Sequence, residues 1–374
     1  MRTTLPRCLV LSVCICLECN VALASFGVLS RSKPLVLDSD QNQSVKKFCQ
    51  QHRKEARLRR FCSVDPGLVQ AIVHGTRLTV DSCQSLFQWE PWQCDLLQDK
   101  RRHLLKKVYR ETALVYALAA AGLTHSVARG CSSGRLSSRC SCNESGSRTL
   151  SATESDQNWK WGGCGDNYSF SAKFSRKLLA RNKSRRPRTL RRPVDNHNLV
   201  VGIRVLRHGI RRVCKCHGLS GSCSAKTCWE ELAHFPDVAK ALKRKYSKAI
   251  MAQVENKPDF ASTEVVSKLK KTLLTRTTQK PKWLRAVTAE LQRLGRDRLV
   301  YLEESPSFCE RNVLTGGMSQ RRCRDHAHCE QVCCGRGHRS FSETVQERCH
   351  CRVVWCCQLE CKTCTVLKYS HSCH

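Results

Sequence analysis

Residues 214–229 read CKCHGLSGSCSAKTCW. Successive side chains of a β-strand alternate between faces, so residues two apart project together. Cys214 and Cys216 can therefore both face cysteines on a returning strand, Cys223 and Cys228. Nested pairing of Cys216 with Cys223, and of Cys214 with Cys228, closes an inner loop HGLSGS. Gly218 and Gly221 are expected to supply the positive φ angles that so tight a tip requires. The result is a stapled hairpin with Ser220 projecting from a rigid arm.

Two chemical readings of the same stretch fail. Gly218-Leu219-Ser220-Gly221-Ser222 has a serine where the nucleophile elbow Gly-x-Ser-x-Gly has its last glycine, and it lacks the elbow's strand-to-helix setting. His217 stands three residues from Ser220 without an acid partner. The chain is therefore not read as an enzyme. Cys-x-Cys-His, the following Cys-x4-Cys and the later Cys361-x2-Cys364 have zinc-ligand spacing. In an exported chain these sulfurs pair with one another instead. No metal and no cofactor are expected. A rigid, exposed hydroxyl without a catalytic partner suits modification by another enzyme.

Export follows from the first 24 residues, MRTTLPRCLVLSVCICLECNVALA. Arg2 and Arg7 precede the apolar run Cys8–Leu17, and Ala22-Leu23-Ala24 offers small residues at a cleavage site, the pattern of a signal peptide. Of the 28 cysteines, removal of Cys8, Cys14, Cys16 and Cys19 leaves 24, an even number consistent with a disulfide framework. Asn-x-Ser acceptors stand at Asn42, Asn143, Asn167 and Asn182. No later stretch reaches the 18 apolar residues of a membrane span. The chain is read as secreted into the extracellular space and matrix. Its formal charge of +34 then favours sulfated glycans or membrane surfaces, with nucleic acid excluded by compartment.

The cysteines also divide the chain. Twelve lie between Cys49 and Cys228, none in 229–308, and twelve between Cys309 and Cys373. The last group is too dense for an ordinary apolar core and marks a small cystine-stapled domain. The N-terminal part is helical in pattern. Residues 98–128 place Leu104, Leu105, Val108, Val115, Leu118 and Ala119 at helical spacing in an Ala-rich, Pro-free stretch, with Gly122 as a C-cap or a point of close packing. Further helices are expected at 45–60, 66–76, 169–181 and 235–250. The run RNKSRRPRTLRR (181–192) holds seven basic and no acidic residues and reads as a loop. The expected organisation is a leader at 1–24, a helical domain at 25–255 that includes the hairpin 214–228, a linker at 256–304, and a cystine-rich domain at 305–374.

CKCHGLSGSCSAKTCW resembles the signature of the Wnt family of secreted signalling proteins. The resemblance continues in family order through ETALVYALAAAGLTHSVARGCSSGR (111–135), WKWGGCGDN (159–167), SPSFC (305–309), CCGRGH (333–338) and CHCRVVWCC (349–357). It spans about residues 45–374, and is looser over 195–216 and 256–300. The resemblance implies a disulfide-rich two-domain α+β fold: a helical N-terminal domain with a "thumb" hairpin and a small C-terminal domain with a "finger" hairpin. It implies a mono-unsaturated fatty acyl group, palmitoleate, on Ser220, attached by a membrane-bound O-acyltransferase. The thumb tip, His217, Gly218, Leu219, Ser220 and Gly221, would enter the cysteine-rich domain of a Frizzled receptor. The finger at 349–364 would grip it with Trp355 and the adjacent pair Cys356–Cys357.

The resemblance further implies the pairs Cys83–Cys94, Cys131–Cys140, Cys142–Cys164, Cys309–Cys334, Cys323–Cys329, Cys333–Cys373, Cys349–Cys364 and Cys351–Cys361. Parity then suggests Cys49 with Cys62. The implied partners are Frizzled receptors, co-receptors related to the low-density-lipoprotein receptor, a lipid-binding carrier during secretion, and heparan sulfate proteoglycans. The runner-up reading is an unlipidated heparin-binding cystine growth factor.

Overall fold

The computed structural model describes residues 41–52, 56–96, 103–142, 159–161, 163–180, 191–224, 226–252, 291, 293, 295–312, 317–354 and 358–374. The leader, Asn143, Asn182, Trp355, Cys356, Cys357 and most of 181–192 and 256–304 lie outside the described residues. The chain forms two compact units. One comprises residues up to Cys83 together with Leu96–Ser305, and the other Gln84–Asp95 together with Pro306–His374.

Helices α1 (Gln41–Gln51), α2 (Ala56–Val64) and α3 (Pro66–Phe87) open the described chain. The single helix expected at 45–60 is thus two helices, joined by the bond Cys49–Cys62. Asp65 caps α3, its Oδ1 accepting from the Leu68 N–H at 3.0 Å, and Pro66 takes the first helical position, where its missing N–H costs nothing. α3 runs eleven residues beyond the expected end at 76.

α4 (Arg110–Ser132) is the core of this unit. Twenty of its 23 residues are buried, because alanines and large aliphatics alternate on every side rather than along one stripe. It begins twelve residues later than the periodicity predicts, since 105–109 form a turn and an irregular stretch. Gly122 is a point of close packing, not a cap. A Cβ on Gly75 of α3 would stand 2.8 Å from its carbonyl oxygen, so the two glycines let the backbones touch. Thr79 seals the crossing by donating to the Leu118 carbonyl at 3.3 Å.

Helices α5 (Tyr168–Leu179), α6 (Arg191–His208) and α7 (Phe235–Ser247) also pack on α4. The basic run 181–192 predicts a loop, yet Arg191 and Arg192 open α6, for which the sequence offers no apolar period. Pro193 is tolerated there because it lies in the first turn. The assigned linker also needs correction at its C-terminal end. β5 (Val300–Tyr301) pairs in parallel with β4 (Ile250–Met251), and Leu299 and Val300 are fully buried. Asn198 of α6 clamps β5, donating to the Val300 carbonyl at 2.8 Å and accepting from its N–H at 2.9 Å. Residues 295–305 therefore belong to the first unit.

The second unit recruits 84–95, although their sequence position predicts the N-terminal domain. Arg321 donates to the Pro91 carbonyl at 2.6 Å and to the Glu90 carbonyl, and Trp89 meets His328 edge-on at 5.9 Å. Its core is Met318, Val332 and the half-cystines Cys323, Cys329, Cys333 and Cys373. β6 (Arg322–Cys323), α8 (His326–Val332) and the long hairpin β7 (His338–Val354) and β8 (Gln358–Cys373) surround that core, in strand order β6-β8-β7. So few apolar residues bury little surface, and the cystines at Cys309–Cys334, Cys323–Cys329 and Cys333–Cys373 take over the task of a larger core.

Candidate functional site: two stapled hairpins

β2 (Arg211–Cys216) and β3 (Lys226–Glu231) form the first hairpin, antiparallel with Cys214 opposite Cys228. Cys214 is bonded to Cys228 and Cys216 to Cys223. β1 (Trp159–Trp161) adds in parallel on the other side of β3. The base is pinned to α4 by charge. Buried Asp166 accepts from the Leu232 N–H at 2.9 Å and the Ser132 hydroxyl at 2.7 Å, and stands 3.5 Å from Arg129. Arg129 also pairs with Glu231 at 2.6 Å. These anchors were not singled out by sequence reasoning, although Asp166 lies inside WKWGGCGDN.

The tip is a single 3-10 turn, Leu219–Gly221, closed by Gly218 N–H donating to the Ser222 carbonyl at 2.8 Å. Gly221 has the expected positive φ, +77°. Gly218 does not: its φ is −73°, and the position needs glycine because a Cβ there would collide with Ser222 and the Ser224 hydroxyl. The second left-handed residue is Ser220 itself, at φ +58° and ψ 26°. A non-glycine residue held there is strained by about 1–2 kcal/mol, and the stapled frame imposes it. Leu219 is 94% exposed, and His217 and Ser220 are exposed beside it. The Ser222 hydroxyl lies 3.2 Å from that of Ser224, whereas that of Ser220 has no hydrogen-bond partner among the described residues.

The second hairpin, β7 and β8, is bonded at Cys349–Cys364 and Cys351–Cys361, with a break in register between Cys349 and Arg352 and His350 at φ +46°. Next to its tip, Val353 opposes Leu359, and they are 76% and 63% exposed.

Cys131 is bonded to Cys140 and Cys142 to Cys164, while Cys83 and Cys94 are each in a disulfide. The cysteines that cluster at metal-binding distance, Cys323, Cys333 and Cys373, and Cys349 with Cys364, are all in disulfides and offer no thiolate. Of the glycan acceptors, Asn42 lies on α1, and Asn167 caps α5. Among the described residues no helix is long and apolar enough to cross a membrane.

A model of the wnt family matches residues 50–374. The chain is 38% identical to Protein Wnt-9a of Gallus gallus over 87% of its own length and 86% of that protein. It is 37% identical to human Protein Wnt-9b over 87% and 85%. Among solved structures it is similar to a chain of human WLS in complex with WNT8A, at a TM-score of 0.55 and 25% identity, covering 83% of this chain and 95% of that one.

Proposed function

The chain belongs to the Wnt family, whose members are secreted signalling ligands and not enzymes, and on that premise we propose that it signals through a fatty acyl group, palmitoleate, carried on Ser220. The observation that carries this reading is the state of the tip hydroxyls. Ser222 is engaged with Ser224, and Ser220 is presented free beside exposed Leu219 by two cystines.

An acyl chain of about 14 methylenes, at about 0.8 kcal/mol each, represents on the order of 11 kcal/mol when buried. Part is lost to the translational and rotational cost of association. One such chain holds a protein to a bilayer only marginally. Entry of the same chain into a groove of a Frizzled cysteine-rich domain, with a second contact at the finger, gives tight binding that a carrier can still release. Exposed Val353 and Leu359 suit the finger for that second contact. Likeness to a structure of WLS in complex with WNT8A supports a lipid-binding carrier of that kind in secretion. The proposed partners after release are Frizzled receptors, co-receptors related to the low-density-lipoprotein receptor, and heparan sulfate, drawn by the formal charge of +34.

The test is the mass of the secreted protein's peptide spanning Cys216–Cys223. The reading expects an acylated Ser220, and Ser220→Ala is expected to abolish receptor binding with an unchanged disulfide pattern. An unmodified Ser220 in fully active protein would overturn it in favour of an unlipidated heparin-binding growth factor.

A further inference from the structure

The C-terminal unit gathers three imidazoles from three separate elements. His326 opens α8, His338 opens β7, and His371 lies on β8 opposite Ser340. The ring centroids of His326 and His338 are 4.3 Å apart, and each is 6.0 Å from that of His371. From these positions we infer that His326, His338 and His371 form a binding site for a divalent transition-metal ion of the zinc type.

The ring centroids, though not yet the ring nitrogens, are spaced near the values of a three-histidine site. With a metal–nitrogen distance of about 2.0–2.1 Å, each ring centroid sits about 3.2 Å from the ion, and tetrahedral angles then separate centroids by about 5 Å. The observed separations bracket this value. The ring nitrogens are not gathered within 4.8 Å of one another, so binding turns at least one ring; His326 is exposed and free to turn. The backbones beneath are fixed covalently. Cys323–Cys329 ties β6 to α8, and Cys333–Cys373 ties the end of α8 to the end of β8.

The surroundings supply an orienting partner as well. The Ser340 hydroxyl lies 2.7 Å from His371 Nδ1. When Nδ1–H donates to it, the Nε2 lone pair is left to the metal, the usual role of a partner behind a metal-bound histidine. Three protein nitrogens is also the ligand count of open zinc sites, whose fourth position takes water. Two nearby cations are occupied elsewhere. Arg322 faces Glu343 at 3.4 Å, and Arg339 donates to the Ser372 hydroxyl at 3.3 Å. Thiolates do not compete, since the unit's described cysteines are in disulfides.

The experiment is calorimetric titration of the full secreted protein with Zn²⁺ alone, after removal of metal by dialysis against a chelator. One ion per chain is expected. His371→Ala and His326→Gln are expected to weaken binding at least tenfold, and Ser340→Ala roughly tenfold through the lost orienting bond. His326 is exposed at a helix start, so His326→Gln keeps the fold if His371→Ala is poorly secreted. Absence of Zn²⁺ binding, or equal binding by wild type and His326→Gln, would overturn the inference.

Discussion

The hydroxyl oxygens of Ser222 and Ser224 stand 3.2 Å apart on the thumb, and this pairing separates the two serines of the tip. Ser222→Ala removes a hydroxyl that is already engaged, while Ser220→Ala removes the one that is presented. Acylation of Ser222→Ala protein is expected to match wild type, and Ser220→Ala protein is expected to carry no acyl chain at 214–228. Intact-peptide mass measurement distinguishes them, and transfer of the lipid to Ser222 in the Ser220→Ala variant would contradict the assignment.

Stability should fall in mild acid. His125 is 7% exposed, edge-on to Phe235, and burial, with Arg129 nearby, pushes its pKa down to about 4. His74 and His197 are shifted in the same direction, chiefly by burial. The unfolded chain takes up protons on these rings from about pH 6.5 downward, whereas the folded chain resists. Their contribution is therefore fully present above pH 6.5 and is lost as pH falls through the interval down to about 4. For His125 alone this amounts to about 3 kcal/mol, at 1.36 kcal/mol per unit. Denaturant unfolding at pH 7.5, 5.5 and 4.5 checks it, and His125→Gln should flatten the slope.

Cysteine spacing made the first hairpin legible in the sequence, because a bond between neighbours in a strand pair is written directly as a short separation, whereas the second hairpin and its pairs Cys349–Cys364 and Cys351–Cys361 rest on the family resemblance. Helix α6 was not legible for the opposite reason. Its buried face carries Asp195, paired with Arg191 at 3.2 Å, and Asn198, bonded to Val300, so polar residues interrupt the apolar period. The placement of Gln84–Asp95 was hidden likewise, since Arg321 lies 230 residues beyond Pro91. Gly218 misled because glycine serves two needs, positive φ and lack of bulk, and the residues alone do not say which applies.

Gly202 tests the core. It faces the backbone of Ala117, and a Cβ there would overlap the Ala117 carbonyl, which the central helix cannot move. Gly202→Ala gains up to about 1 kcal/mol of helix propensity but overpacks by about 1–3 kcal/mol or more. A net loss is expected, read as a melting temperature lower by about 2–4 °C for each kcal/mol.

Asn167 has two jobs that a glycan test must keep apart. Its Oδ1 accepts from the Phe170 N–H at 3.0 Å, capping α5, and its Nδ2 donates to the Ser141 carbonyl at 2.9 Å. Asn167→Ala is therefore expected to cost about 1 kcal/mol from the lost cap, whether or not a glycan is attached. Ser169→Ala removes the acceptor triplet while leaving both bonds, and Ser169 is exposed. The Asn167→Ala protein should melt below the Ser169→Ala protein, by the share of the cap alone. If Ser169→Ala also migrates faster on a gel, the site is glycosylated. If Asn167→Ala melts with Ser169→Ala, the cap carries no stability.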